Sequence, residues 1–326
     1  METRFDISMM VKVAQMYYES GMKQEEIAKT LQISRSLISM ILTEAKDAGI
    51  VEIRVRNPLH NNEVLAREFQ ERFKLKECLI LQTAIQDSNN LRKLAAQRAV
   101  NVFKQEIEKQ LGMGVASQYN IGIAWGRTCY EFVSAYKSDR PFPNVNIVPL
   151  IGGSNQNASY FQLNEIVRQF AKKIKGTPYF IHAPGITSSA EEKLLFIQSQ
   201  SMQPILERWM NMDMVISGIG TLPDLNNSDR ETYMGEFEIY KQYEKKGAIG
   251  DICARYFDIN GEFIEDSVHD KILGISIDDL KKTNKIFCVA SGSEKANSIL
   301  GALRTGIIDI LVIDESTANM VLKASL

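Results

Sequence analysis

The 326 residues carry a formal net charge of −2, with 44% hydrophobic and 24% charged side chains, which suits a globular chain of about two domains at roughly 150 residues each. Residues 1–6 lack a basic leader and no run reaches the roughly 18 apolar residues of a membrane span, so no membrane partner is expected and the chain reads as cytoplasmic. The four cysteines, Cys78, Cys129, Cys253 and Cys288, include no close pair, which argues against a metal or redox motif and for buried reduced thiols.

Met9, Val13 and Tyr17 recur every four residues, with Met10, Ala14 and Met16 beside them, and predict a helix ending at Gly21. In KQEEIAKTLQISRSLISMILTEAKDAGI, residues 23–50, Ile27, Ala28 and Leu31 make one short apolar face and Leu37, Ile38 and Ile41 a second, with Ile33 in the turn between them. This is the spacing of a helix-turn-helix. Ala28 is small where the two helices would cross steeply, and Ser34 can cap the second helix through its hydroxyl. Arg35, Ser36, Ser39, Met40 and Thr43 fall on the opposite face, which suits phosphates and base edges in a major groove. The alternative is an ordinary helical hairpin with a solvated polar face.

In the following VEIRVRNP, Val51, Ile53 and Val55 alternate with charged residues, so a short half-exposed strand is expected before Pro58. Helix, helix-turn-helix and strand together suggest a winged module over residues 1–57. Arg54 and Arg56 share the polar face of that strand, either against phosphate or on a solvated edge. The candidate DNA contacts are Gln24, Ser34, Arg35, Ser36, Ser39, Met40, Thr43 and Arg54. Residues 1–58 hold four Lys and four Arg against eight Asp plus Glu. Affinity for DNA would then rest on a few well-placed cations and on several copies of the module acting together.

Polar residues 57–62 mark the domain boundary, and 58–326 forms the second domain. Val64, Leu65, Phe69 and Phe73 predict a helix, followed by a strand at 77–81. From about residue 88 amphipathic helices alternate with short runs rich in Ile and Val at 120–124, 145–150, 178–182, 214–217, 285–290 and 308–313. Helices are expected at about 88–111, 127–137, 160–175, 190–211, 236–245, 276–283, 294–303 and 315–324. That alternation predicts an α/β layered domain built on a mostly parallel sheet.

Ligands of such sheets collect beyond the carboxyl ends of the strands, where helix N-termini also point. Four turns there are candidates. In IGIAWGRT, Gly126, Arg127 and Thr128 offer backbone N–H groups, a cation and a hydroxyl, a set that can hold phosphate; a tight turn with a surface arginine is the alternative. In LIGGSN, the pair Gly152 and Gly153, with Ser154, would let backbone approach a ligand. In SGIGT, Gly218 and Gly220 do the same. In VASGSEKANSI, Ser293 and Lys295 open a helix as a phosphate partner. Asp251 can accept sugar hydroxyls, whereas Asp314 is explained by helix capping. His60, His182 and His269 are isolated, and no nucleophile elbow, Walker loop or metal-ligand spacing occurs. No cofactor, metal or catalytic residue is therefore assigned.

Residues 10–322 resemble the SorC/DeoR-type family of bacterial sugar-responsive transcriptional regulators, in wording closest to its deoxyribonucleoside regulator branch. The resemblance rests on YYESGMKQEEIAKTLQISRSLIS, GIVEIRV, IGIAWGRT, the paired glycines after VPLI, SGIGT, GAIGDICARYFD, VASGSEKANSI and IDESTA. It implies a winged helix-turn-helix joined to an effector domain related in fold to ribose-phosphate isomerase and glucosamine-phosphate deaminase. It also implies a tetramer, a dimer of dimers, whose operator affinity changes when a phosphorylated sugar binds. By the same resemblance the loop at Gly126, Arg127 and Thr128, the loop at Gly152 and Gly153, and Lys295 line the effector site.

Two departures carry consequences. Some members have lysine immediately before the paired glycines, where an aldehyde sugar could form an imine. Here the residue is Ile151, which implies noncovalent binding and argues against deoxyribose phosphate as the effector. The family's recognition helix commonly reads SRxxVSRLL, and Met40 stands in place of its second arginine, removing one phosphate or guanine contact. The expected function is a DNA-binding repressor of a carbohydrate or nucleoside catabolic operon, controlled by a sugar phosphate and without enzymatic activity. The alternatives are a sugar-phosphate isomerase or deaminase carrying a DNA-binding module, and a pure interaction scaffold.

Overall fold

In the computed structural model, the Asp6 carboxylate accepts the backbone N–H of Met9 and caps α1 (Ile7–Ala14), which runs on as a π-helical segment, Gln15–Glu19. The structure describes residues 5–51, 62–111, 118–137, 140–154, 162–222, 237–265 and 267–325. The chain divides into two units, Met1–Asn57 and Pro58–Leu326.

In the first unit α2 (Gln24–Leu31) and α3 (Arg35–Asp47) are joined by a tight turn in which Gln32 takes the left-handed conformation, φ 55°. Ser34 caps α3 by accepting the Leu37 N–H at 3.2 Å, as its position in the sequence predicts. Met10 and Val13 of α1, Ile27 and Ala28 of α2, and Ile38, Ile41, Leu42 and Ala45 of α3 form one buried cluster. The apolar faces read from the sequence therefore do meet, and Ala28 is buried among them. The strand expected at 51–56, with Arg54 and Arg56, lies beyond Val51 outside the described residues.

The second unit opens with α4 (Glu63–Phe73), β1 (Glu77–Leu81) and the long α5 (Ser88–Leu111). There follow β2 (Tyr119–Ile123), α6 (Arg127–Ala135), β3 (Val145–Pro149), α7 (Leu163–Ile174), β4 (Thr177–Pro178), α8 (Ala190–Gln198) and α9 (Gln203–Met210). After β5 (Met214–Gly218), β6 (Gly220–Thr221) and α10 (Phe237–Lys245) come β7 (Gly250–Ile252), β8 (Arg255–Phe257) and α11 (Ile277–Lys282). The chain ends with β9 (Ile286–Val289), α12 (Ala296–Arg304), β10 (Ile310–Asp314) and α13 (Glu315–Ala324). Seven strands form a sheet in the order β1-β10-β9-β5-β2-β3-β4, and every neighbouring pair in it is parallel. Parallel strands need crossovers, and the helices that supply them cover the sheet, which is why β3, β9 and β10 are buried at every residue.

Three features differ from the sequence reading. Of the run at 178–182 only Pro178 is strand, in the two-residue β4 (Thr177–Pro178) at the edge of the sheet. The helix expected over 190–211 is two helices, broken at 199–202. Pro204 lacks an N–H to donate inside a helix and instead sits in the first turn of α9. A second, antiparallel sheet, β6-β7-β8, is made of strands only two or three residues long, too short to produce a period-two pattern.

Across α5, α6 and α7 the rings of Phe103, Phe132 and Phe170 meet with centroids 5.5 to 5.8 Å apart, two of the three pairs edge to face, and all three side chains are fully buried. Such contacts add to the area they bury. Phe132→Ala should lower unfolding free energy by about 3–5 kcal/mol, read as a fall in the urea midpoint.

Candidate effector-binding site

The carboxyl ends of β2, β5 and β9 meet at a cavity of about 300 Å³. β2 leads through Trp125 into Gly126, the N-cap of α6, which has no side chain to accept the N–H groups of the first turn. Those donors, the positive end of the helix dipole, and the side chains of Arg127 and Thr128 all belong to the cavity wall. From β5 come Ser217 and Gly218, and from the small sheet Gly220 on its edge strand β6 and Asp251 on its central strand β7. From the turn after β9 come Ser291, Glu294 and Lys295.

That turn is held from below. The buried carboxylate of Asp314, at the end of β10, accepts the Gly292 N–H at 3.1 Å, the Thr317 N–H at 3.0 Å and the Thr317 hydroxyl at 2.6 Å. The capping role read from the sequence is present, and the same group also fixes the loop that carries Lys295. Lys295 Nζ donates to the carbonyl of Ile219 at 3.1 Å. Burial pushes its pKa below the usual lysine value; Glu294 opposes that shift and the positive charges of Arg127 and Arg92 add to it.

Asp251 faces this lysine. Burial raises its carboxyl to about 6, against the N–H of Ala254, which donates at 2.9 Å, and the charge of Lys295. Gly220 is what gives the carboxylate room: a Cβ there would stand 1.9 Å from Asp251 Oδ1. The turn after Asp251 places Cys253 and Ala254 in the left-handed region, φ 54° and 58°, at a cost of about 1–2 kcal/mol per residue. Three contacts support it: Asp251 to Ala254, the Cys253 thiol to Ser217 Oγ at 3.7 Å, and the buried Arg255 guanidinium donating to the carbonyls of Ile275 and Gly274 at 2.7 and 2.8 Å. All four cysteines are buried and free, and burial pushes the Cys253 and Cys129 thiols up to about 12, which makes them unreactive.

Of the effector-site residues expected from the sequence, Gly126, Arg127, Thr128, Gly218, Gly220, Asp251 and Lys295 line this one cavity. Gly152, Gly153, Ser154 and Ser293 are not among its lining residues. The glycine pair serves chain packing instead: Gly152 N–H donates to Leu273, Gly153 N–H donates to Ala183, and a Cβ on Gly152 would lie 2.5 Å from the Pro184 carbonyl. Ser293 is exposed. Ile151, just before the pair, does face the cavity. Lining residues that the sequence did not single out include Ser88, Asn89 and Arg92 from the start of α5, together with Trp125, Tyr240, Tyr256, Ser291 and Glu294; Cys253, read only as a buried thiol, lines it too. The start of α5 has no glycine turn to mark it; only the polar run before Leu91 could have pointed there.

In the first unit, Ser34, Arg35, Ser36, Ser39, Met40 and Thr43 are all exposed along α3, and Gln24 is half-buried at the start of α2. Arg35 lies 3.7 Å from Glu25, both well exposed, a pairing that costs little to exchange for another anion. Among the described residues no His, Cys, Asp and Glu group is arranged to hold a metal ion, and no helix is long and apolar enough to cross a membrane.

A family model described as "Putative sugar-binding domain" matches residues 57–323. The Deoxyribonucleoside regulator of Bacillus subtilis (strain 168) is 28% identical over 313 residues, 95% of either chain. The Sorbitol operon regulator of Klebsiella pneumoniae is 29% identical over 325 residues, 99% of this chain and 100% of that one. The crystal structure of full-length SorC from the same organism matches with a TM-score of 0.69 at 28% identity, covering 97% of this chain and 99% of that chain.

The raised pKa of Asp251 has a consequence for stability. Below about pH 4 the carboxyl is protonated in both folded and unfolded chains. As pH climbs toward 6 the unfolded chain releases the proton while the fold retains it, so folding loses stability over that window. Asp251→Asn escapes this loss. Its melting temperature relative to wild type should rise from pH 4 to 6 and level off above about 6.5, whereas a pH-independent difference would show that the carboxyl is not perturbed.

Proposed function

Because this chain belongs to the SorC/DeoR-type family of sugar-binding transcriptional regulators, we propose that it is the repressor of a carbohydrate or nucleoside catabolic operon, released or retuned by noncovalent binding of a phosphorylated sugar. Residues 1–57 act as the winged helix-turn-helix, with α3 in the major groove, and residues 58–326 bind the effector and assemble the protein as a dimer of dimers. The effector domain is related to ribose-phosphate isomerase and glucosamine-phosphate deaminase.

The observation that carries the phosphate is that Arg127, Thr128 and Lys295 line one cavity at the start of α6, whose N-cap Gly126 makes no side-chain cap. Backbone N–H groups at a helix N-terminus and charge-assisted donors are the standard cradle for a phosphoryl group. Asp251, held over Gly220, is placed to accept a hydroxyl from the sugar. Ile151 in the wall offers no amine for an imine, which supports noncovalent binding. In the first unit the exposed serines, Thr43 and Arg35 of α3 supply the base and phosphate contacts. The regulators named above control sorbitol and deoxyribonucleoside functions; the sugar for this chain is of the same broad kind.

An effector moves a two-state equilibrium only through a difference in its affinity for the two states. Binding therefore closes the strand-end loops in one subunit arrangement better than in the other, and changes the spacing between paired α3 helices. In a gel shift with DNA from upstream of its operon, the protein should bind tightly and in a salt-sensitive manner, and a sugar phosphate should change the retained fraction. Lys295→Ala should abolish that response and leave DNA binding intact. A response that survives Lys295→Ala removes the lysine from the site, absence of any DNA binding at low salt removes the regulator, and turnover of a sugar phosphate by the purified protein would favour the isomerase or deaminase alternative.

A further inference from the structure

We propose that Glu315, the first residue of α13, is the positioning residue through which the effector cavity acts on the start of the second unit, where the chain arrives from residues 1–57. The inference rests on the effector reading above and adds to it the path by which an occupied cavity is felt outside it.

Two adjacent carboxylates divide the work. Asp314 accepts the Gly292 N–H at 3.1 Å and so holds the turn that supplies Ser291, Glu294 and Lys295 to the cavity wall. Glu315, the next residue, holds a different part of the chain: its Oε1 accepts Asn62 Nδ2 at 2.6 Å and Gln82 Nε2 at 3.1 Å. Asn62 lies four residues after Pro58, where the second unit begins. Its side chain is used twice, because its Oδ1 also accepts the Leu65 N–H at 3.1 Å and caps α4, while its backbone N–H donates to the Ile80 carbonyl at 3.0 Å.

Between these two contacts α13 behaves as one body, since its backbone is tied by its own hydrogen bonds. It packs against the turn at 293–295 and against β1, and its Ala318 and Val321 are fully buried. At its far end Ser325 Oγ accepts Arg72 Nη1 at 2.7 Å, so α13 and α4 are tied at both ends. The Asn62–Glu315 bond is charge-assisted and partly buried, which makes it stronger than an exposed contact of the same groups. Coupling between two places needs an element whose position both of them bias. An anion that draws on Lys295 moves the turn at 291–295, the Gly292–Asp314 bond passes that movement to the start of α13, and Glu315 passes it to Asn62.

The test is hydrogen–deuterium exchange of the full chain in inorganic phosphate against chloride at constant ionic strength, read in peptides covering 290–296 and 62–67. Wild type, Glu315→Ala, Asn62→Asp and the double variant Asn62→Asp with Glu315→Gln are compared. Asn62→Asp keeps a good cap for α4 but sets carboxylate against carboxylate, and the double variant restores the bond with donor and acceptor exchanged. In wild type, phosphate should slow exchange about fivefold or more at both segments. Glu315→Ala and Asn62→Asp should keep the slowing at 290–296 and lose it at 62–67, and the double variant should regain it. Slowing at 62–67 that persists in both single variants would overturn the proposal. So would loss at both segments in Glu315→Ala, or a double variant that regains nothing, since either assigns the effect to the fold. Slowing at 290–296 with none at 62–67 in wild type overturns the coupling and leaves the effector site standing, whereas no phosphate-dependent slowing at either segment overturns both.

Discussion

The second unit depends on one constraint: a carboxylate and an ammonium, Asp251 and Lys295, are held half-buried across the carboxyl edge of a parallel sheet. Burial works against the charge on each, so neither would remain there without fixed partners. Asp251 has Ala254 N–H and the room left by Gly220; Lys295 has the Ile219 carbonyl. Much of the local chain is arranged to keep this pair in register. The small β6-β7-β8 sheet carries Asp251 to the sheet edge, the left-handed Cys253 and Ala254 turn the chain back, and Arg255 ties that turn to the carbonyls of Gly274 and Ile275.

The same segment reaches the glycine pair. Ile275 N–H donates to the Leu150 carbonyl and Gly152 N–H to that of Leu273, so the chain at 272–275 is stitched both to the end of β3 and, through Arg255, to the turn after Asp251. The cavity floor and the loop after β3 thus share hydrogen bonds, although the glycines themselves do not face the cavity. An effector that draws on Asp251 acts on a group that also holds this turn, which is a physical basis for a ligand-dependent change in loop packing.

Much of this was legible in the sequence. Periodicity located β1, α5 and the order of the parallel strands' helices, because long amphipathic helices and fully buried strands leave strong patterns. The glycine and polar residues at strand ends pointed to Gly126, Arg127, Thr128, Gly218, Gly220 and Lys295, because a parallel sheet brings such ends to one edge; Asp251, read only as an acceptor for sugar hydroxyls, lies on the short antiparallel β7. What was not legible depended on contacts between distant segments. Gly152 looks the same in sequence whether backbone or ligand approaches it, and here it is the Pro184 carbonyl. Arg92 lies on an ordinary-looking first turn of a helix, and only the packing of α5 on α6 brings it to the cavity. The antiparallel strands are too short for any periodicity, and Pro204 marks a helix start that resembles continuity.

Effector recognition here requires a ligand sitting against the first turn of α6, whose N-cap Gly126 offers no side-chain acceptor. Hydrogen–deuterium exchange of the full chain, with and without a sugar phosphate that alters its DNA binding, reads those amides directly. Protection is predicted at Arg127, Thr128 and Cys129, with further slowing around Gly220 and Lys295. A sugar phosphate that changes DNA binding while leaving the amides of residues 127–129 exchanging at their original rate would contradict it.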